Sequence, residues 1–346
     1  MKVCLYLERE QSAAWSGGIR QAYENHRRAL RSAGVALTAD PDQPFDLLHL
    51  ETLGPRSFYL AEKYSGTRPL LIHAHTTAED FANSFVMSDV LAPHLGRVLT
   101  HYYNKADLIV APTAYTKRVL EEHGVMRPIE VVSNGVELRR FASLRRARSL
   151  GRGSHQLRGI VVFAVGLVLL RKGVDMFVEV ARRLPHLTFV WFGRIHRAVK
   201  PETLRIVEEA PANVRFPGYV EEIVHAYAAG DIFFFPSAVE NEGIAILEAA
   251  AAGRPLVLRE AECFAGRFVH NVNCLMAGDA DGFTRELSRL AEEPELRARL
   301  GEQARRFAEA RSLDLIGARL RRIYERVLNG WPQPTPDPIR PVATPR

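Results

Sequence analysis

Glu240 and Glu248 stand eight positions apart, with Gly243 between them and the apolar run Ile244 to Ala252 overlapping the second. The apolar run Asp231 to Phe235 lies just ahead, so Glu240, Asn241, Glu242, Gly243 and Glu248 gather where a predicted strand gives way to a predicted helix. Carboxylates there can accept hydrogen bonds from ligand hydroxyls or pair with cations. A second cluster, Arg171-Lys172-Gly173, follows an apolar strand that ends at Gly166 and precedes another helical period. Two cations beside a helix N-terminus suit a diphosphate, because the helix adds its own N–H groups and dipole to their charge. A solvated basic pair would have the same spacing.

Two further clusters lie in the first half. His73-Ala74-His75-Thr76-Thr77-Ala78-Glu79-Asp80 follows the apolar strand Leu70 to His73. Alternation puts His73 and His75 on one side. They read as a metal pair with no third ligand evident nearby, as a satisfied structural pair, or as one histidine facing a cleft as acid, base or hydrogen-bond donor. Gly17-Gly18, with Ser16 before it, heads an amphipathic helix; it forms either a plain turn or a place where backbone N–H groups approach an anion.

All four clusters follow predicted strands, and open parallel sheets bind ligands outside the carboxyl ends of their strands. The elements that must position them alternate between β-rich and amphipathic runs, the pattern of parallel sheets with crossover helices. Strands are predicted at Lys2 to Leu7, Asp46 to Leu50, Leu70 to His73, Asp107 to Ala111 and Ile129 to Val132. After an interruption the alternation resumes with strand Ile160 to Val165, helix Gly173 to Leu184, strands Thr188 to Phe192 and Asp231 to Phe235, helix Ile244 to Ala252 and strand Leu256 to Leu258. The fold class is therefore α/β, with two doubly wound domains facing each other across a cleft. From Asp281 the chain reads as helical, with Leu313, Ile316, Leu320, Ile323 and Val327 on one helix face.

The predicted boundaries are a domain over 1–138, an Arg-rich linker over 139–158, a second domain over 159–310 and a helix over 311–330 packing across the two. Residues 331–346, with six prolines, are predicted to be disordered. The linker holds seven arginines and no acid, against a net charge of +6, so the rest of the chain carries 6 − 7 = −1. Attraction to anionic surfaces would come from this segment. Only six lysines accompany forty arginines, which fits a solvated linker in an Arg-rich chain.

At 346 residues, 47% apolar and 25% charged, the composition is that of a water-soluble globular protein of about two domains. Glu8 leaves no room for the apolar core of a signal peptide, and three unpaired-looking cysteines fit reduced thiols, so a cytoplasmic location is expected. No G-x-G-x-x-G follows either first strand, which argues against a dinucleotide dehydrogenase. The Asp40-Pro41-Asp42 and Asp279-Ala280-Asp281 pairs lie in polar turns and are not expected to hold a metal.

The Glu240/Glu248 pair resembles the paired-glutamate signature of retaining family 4 glycosyltransferases of the GT-B fold. Gly17-Gly18, His75, Ser133-Asn134-Gly135-Val136 and Arg171-Lys172-Gly173 follow in the family's order. The resemblance implies that Glu248 binds the nucleotide ribose and that Glu240, with Asn241 to Ile244 after it, faces the donor sugar. Arg171 and Lys172 would hold the diphosphate beside Gly166, His75 would act on the donor sugar or acceptor hydroxyl, and the first domain would bind the acceptor. Asn241 and Glu242 depart from the commoner Gly-Phe, and Leu167 replaces an arginine usual after the first glycine.

His73 to Phe81 and Glu240 to Ile244 together are similar to bacterial diacylglycerol glucosyltransferases. That implies UDP-glucose as donor, a membrane lipid as acceptor, retention of configuration, and neither cofactor nor metal, the nucleotide-sugar being a co-substrate. A saccharide acceptor, a sugar-nucleotide epimerase on the same architecture and a non-catalytic nucleotide-sugar binder are the alternatives. Nucleic acid is not an expected partner. Phe85 to Tyr103, apolar with only Asp89 acidic, could lie at an anionic membrane surface or form ordinary core helices.

Overall fold

The computed structural model describes residues 1–8 and 17–331, so Ser16 and all of the proline-rich tail except Trp331 lie outside the described residues. The first domain runs β1 (Lys2–Tyr6), α1 (Gly18–Ser32), β2 (Ala36–Thr38), β3 (Leu47–Leu50), α2 (Pro55–Tyr64), β4 (Leu70–His73), α3 (Ala78–Phe81), α4 (Ser88–Tyr103), β5 (Leu108–Ala111), α5 (Ala114–Glu122) and β6 (Ile129–Val131). A helix α6 (Arg145–Ser154) leads to the second domain. That domain opens with β7 (Val161–Val165), α7 (Val174–Arg183), β8 (Thr188–Phe192), α8 (Pro201–Glu208), β9 (Val214–Gly218) and α9 (Ile223–Ala229). It continues through β10 (Ile232–Phe235), α10 (Ile244–Ala251), β11 (Leu256–Arg259), β12 (Leu275–Ala277), α11 (Ala280–Glu292) and α12 (Pro294–Glu309), and α13 (Leu313–Gly330) ends the described chain.

Both sheets are six-stranded, in the orders β2-β1-β3-β4-β5-β6 and β12-β11-β10-β7-β8-β9. Every pairing is parallel. Central strands such as β7 (VVFAV) and β10 (IFFF) are buried along their whole length and read as unbroken apolar runs, as strands covered on both faces must. The strand order reverses between β1 and β3 in one sheet and between β7 and β10 in the other. Each reversal opens a crevice at the carboxyl ends.

The α/β class is as the sequence predicts, and so are the long strands. The strands it misses, β2, β9 and β12, are all at sheet edges; two are three residues long and the third contains Pro217. Short, proline-bearing edges give little apolar pattern to detect.

Within the Arg-rich segment the expectation of turn formers needs correction. In place of a linker of turn formers it forms α6, whose buried residues are Ala147 and Gly151. A Cβ on Gly151 would lie 2.5 Å from the His225 carbonyl of α9, so the two helices meet almost backbone to backbone. Arg148 and Arg152 both bond to Asp231 at the start of β10, and their charges are not free for an anionic surface.

The last helix returns to the first domain. Leu313, Ile316, Leu320, Ile323 and Tyr324 of α13 are buried in the core on one face of the first sheet, together with Val3, Leu5 and Leu71. The chain therefore crosses between the domains twice, and the crossings touch: Val136 N–H donates to the Arg311 carbonyl at 3.0 Å, and Val136 pairs with Ser312 as a parallel bridge.

A Cβ on Gly317 of α13 would lie 2.1 Å from the Ala29 carbonyl of α1. Gly317→Ala is expected to destabilise the protein by about 1–3 kcal/mol through overpacking. Gly330→Ala, where no described residue lies within 4 Å, is expected to change stability by less than about 0.5 kcal/mol. Urea unfolding of both variants checks the pair.

Candidate active site

The β7/β10 crevice collects most of the residues singled out by sequence. After β7 the chain passes Gly166 and makes a single 3₁₀ turn, Leu170–Lys172, before Gly173 caps α7. After β10 it passes Ser237 and Glu240 to Gly243, which caps α10, beginning at Ile244. Short loops after adjacent strands thus bring Arg171, Lys172 and Glu240 together.

Glu240 is buried, and its Oε1 is shared by Lys172 Nζ and by Ser237 Oγ at 2.7 Å, with Arg171 Nη1 at 3.7 Å. Burial opposes its ionisation, but Lys172 and Arg171 outweigh that and hold the carboxyl below its usual range. The crevice therefore contains a carboxylate already neutralised by the cations beside it.

Arg171 is committed more widely than its spacing suggested. Its guanidinium reaches the first domain, with Asp80 at 2.8 Å and Ser84 Oγ at 3.0 Å, and donates to the Val239 carbonyl at 2.7 Å. Lys172 is the less encumbered cation. Its ammonium is pushed below the usual lysine range by burial first and by Arg171 second, against the pull of Glu240.

Glu248 faces inward from α10 and accepts a hydrogen bond from Tyr227 Oη at 2.8 Å, while Arg140 lies 3.8 Å from its other oxygen. Burial pushes its carboxyl up, against the Tyr227 bond and Arg140. Neither partner was singled out by sequence: Tyr227 carries no signal in α9, and Arg140 is one arginine in a run.

Asn241 and Glu242 cross the cleft. Asn241 Nδ2 donates to the His75 carbonyl at 2.8 Å, and the Asn241 carbonyl accepts from Thr113 Oγ1 at 2.8 Å and Thr116 Oγ1 at 3.0 Å. Glu242 accepts from the Asn134 N–H at 2.7 Å. The two positions that depart from the family pattern thus hold the second domain against the first.

On the first-domain side, His75 is not part of a bare histidine pair. Its Nε2 bonds to Glu51 Oε2 at 2.8 Å, His26 Nδ1 bonds to Glu51 Oε1 at 2.9 Å, and His73 stacks on His75 with ring centroids 4.1 Å apart. The expectation that no third potential ligand lies near His73 and His75 is therefore wrong, since His26 and Glu51 bring four donor groups within 4.8 Å of one another. The His73 and His75 planes are only 8° from parallel, however, and imidazole lone pairs lie in the ring plane. The two rings cannot aim at one ion as they stand. Glu51 immediately follows β3, so the strand-end rule that found the other clusters could have found it too.

Gly17 and Gly18 sit exposed at the head of α1, with no described residue within 4 Å of a Cβ built on either. Asp279 is used structurally: it caps α11 by accepting from the Gly282 N–H at 2.8 Å.

The chain matches two family models, "Glycosyltransferase Family 4" over residues 14–140 and "Glycosyl transferases group 1" over residues 152–307. It is 32% identical over 334 residues to the processive diacylglycerol alpha-glucosyltransferase of Acholeplasma laidlawii, covering 95% of this chain and 99% of that one. It is 27% identical to the alpha-galactosylglucosyldiacylglycerol synthase of Streptococcus pneumoniae, covering 71% and 70%. In fold it is similar to Anabaena HepE solved with UDP-glucose, at a TM-score of 0.76 and 18% identity over 94% of this chain and all of that one. With both domains matched and an end-to-end relative at this identity, the chain belongs to glycosyltransferase family 4, the group 1 glycosyl transferases of GT-B fold.

Proposed function

We propose that this glycosyltransferase moves glucose from UDP-glucose to diacylglycerol at a membrane surface, with retention at the anomeric carbon and without a metal. The observation that carries the reading is the self-neutralised set Glu240, Lys172 and Arg171 in the β7/β10 crevice, where a departing diphosphate needs cations. A donor diphosphate would take over Lys172, leaving Glu240 beside the sugar. Stabilising the leaving group by fixed charge is worth most in such a dry site. Glu248, buried beside Tyr227, would accept the ribose hydroxyls. The two relatives whose names carry diacylglycerol, one a diacylglycerol glucosyltransferase and one a glycosyldiacylglycerol synthase, support the lipid acceptor.

The surface around α4 supports it as well. Val86, Met87, Val90, Leu91 and Val98 are exposed there, each 45% or more, while Ala92, Leu99, Tyr102 and Tyr103 face the core. Exposed His94 and Arg97 share the helix. An apolar stripe flanked by basic groups can lie in a headgroup layer. No helix among the described residues is long and apolar enough to cross a membrane.

Three outcomes follow from this reading. The protein should sediment with vesicles of anionic lipid and diacylglycerol at low salt, release as salt rises, and form α-glucosyldiacylglycerol from UDP-glucose; glucosylation of only soluble sugars would remove the lipid acceptor but keep the transferase. Activity should survive EDTA in full, and a loss reversed by magnesium or manganese would overturn the metal-free reading. Glu248→Ala should weaken UDP binding by about 1.5–3 kcal/mol, whereas Glu240→Ala should lower kcat on the order of 100-fold with a smaller effect on UDP affinity; calorimetry and initial rates separate the two.

A further inference from the structure

The β1/β3 crevice of the first sheet holds a buried carboxylate among four imidazoles. Glu51 is fully buried. His26 comes from α1, His49 from β3, His73 from β4 and His75 from the loop after β4, and Tyr324 of α13 closes the group through a 2.7 Å hydrogen bond with His49 Nδ1. Among the described residues these are the titratable side chains that face Glu51 from the elements packed on it. Burial opposes its ionisation, but the polar imidazoles around it, His26 first and then His73 and His49, and the N–H that His26 donates outweigh burial and hold its carboxyl well below the usual range; burial also pushes His49 and His73 down, so those two rings stand neutral beside it.

An ionised carboxylate only accepts hydrogen bonds, so each ring nitrogen bonded to it must carry the proton. That assigns N–H to His26 Nδ1 and to His75 Nε2. His26 Nε2 is a buried ring nitrogen with neither a donor nor an acceptor against it among the described residues. The side chains of His26, His49, His73 and Glu51 are 0% exposed, whereas that of His75 is 5% exposed. His75 also sits at the interdomain cleft, where Asn241 of the second domain grips its carbonyl.

We propose that Glu51 is a positioning residue that fixes His75 in the tautomer protonated at Nε2, so that the bare Nδ1 lone pair is presented to the cleft and accepts a hydrogen bond from a ligand hydroxyl. The proposal rests on the reading of His75 as the group that meets donor sugar or acceptor. It makes the histidine a reader of hydroxyls rather than of anions, and it explains why a carboxylate is kept where burial is costly. A glutamine at 51 could donate its amide N–H to Nε2 and so reverse the tautomer. At metal sites the partner that holds an imidazole in one tautomer is worth about 10–100-fold, and the same scale is expected for His75.

The test uses the full chain labelled with ¹⁵N-histidine. Long-range ¹H–¹⁵N spectra are expected to place the His75 proton on Nε2 in the parent, with the resonance assigned by its loss in His75→Ala, and to move it wholly or partly to Nδ1 in Glu51→Gln. A proton on Nδ1 in the parent overturns the proposal without needing any Glu51 variant to fold, as does stoichiometric zinc in the purified protein, because a metal would take the lone pairs. Glu51→Gln is expected to lower kcat for transfer from UDP-glucose to diacylglycerol vesicles by about 10–100-fold with native circular dichroism; a kcat within about twofold of the parent overturns it. A deficit shared with acceptor-free hydrolysis of UDP-glucose puts the hydroxyl on the donor sugar, and a deficit confined to transfer puts it on the lipid. Full activity in His75→Ala would instead remove the underlying reading of His75 while the spectra still report on the Glu51 bond.

Discussion

Glu51, Glu240, Glu242 and Glu248 are buried around this cleft, and a carboxylate taken out of water without donors is costly enough that something must answer it. Glu240 is answered by Lys172, Arg171 and Ser237, Glu248 by Tyr227 with Arg140 farther off, Glu242 by a backbone N–H of the opposite domain, and Glu51 by two histidines. Each answer comes from a different loop or helix. The need to satisfy these groups therefore ties the β7 and β10 loops together, ties α10 to α9 and to the segment after β6, and ties the second domain to the first. Ligand chemistry would reuse the same acceptors and donors, with hydroxyls and phosphates replacing protein partners one for one.

The parts of the site that follow strands were legible in the sequence because a parallel sheet puts its reactive residues at strand ends, and strand ends can be read from apolar runs. His75, Arg171, Lys172, Glu240 and Glu248 are the candidates that this rule singles out, and of these the structure brings Arg171, Lys172 and Glu240 into contact. Their partners were not. Glu242 and Asn134 are 108 residues apart, and Lys172 and Glu240 are 68 apart, so their pairing exists only once the sheets have formed. Arg171 illustrates the limit: its place beside a helix was foreseeable, whereas its commitment to Asp80 and Ser84 across the cleft was not.

The helix α6 failed detection for another reason. Its buried face is built from Ala147 and Gly151, and small residues that let helices approach closely leave no apolar period to count. Two of the arginines that made the segment resemble a solvated linker, Arg148 and Arg152, fasten it through Asp231 to the start of β10. The helix face of α13, by contrast, is made of large aliphatic side chains at helical spacing and was visible from sequence, although what it covers was not.

The double crossing between domains has a mechanical consequence. A single linker would leave the two halves free to twist, slide and hinge in any direction. Here Val136 on the way out and Arg311 with Ser312 on the way back are hydrogen-bonded side by side, and each strand of the crossing is anchored, one behind β6 and the other at the head of α13. Torsion about the line joining the domains would shear that bridge, and sliding would pull α13 off α1. Rotation about the paired segments themselves strains neither, so the double crossing leaves one axis of domain rotation less resisted than every other.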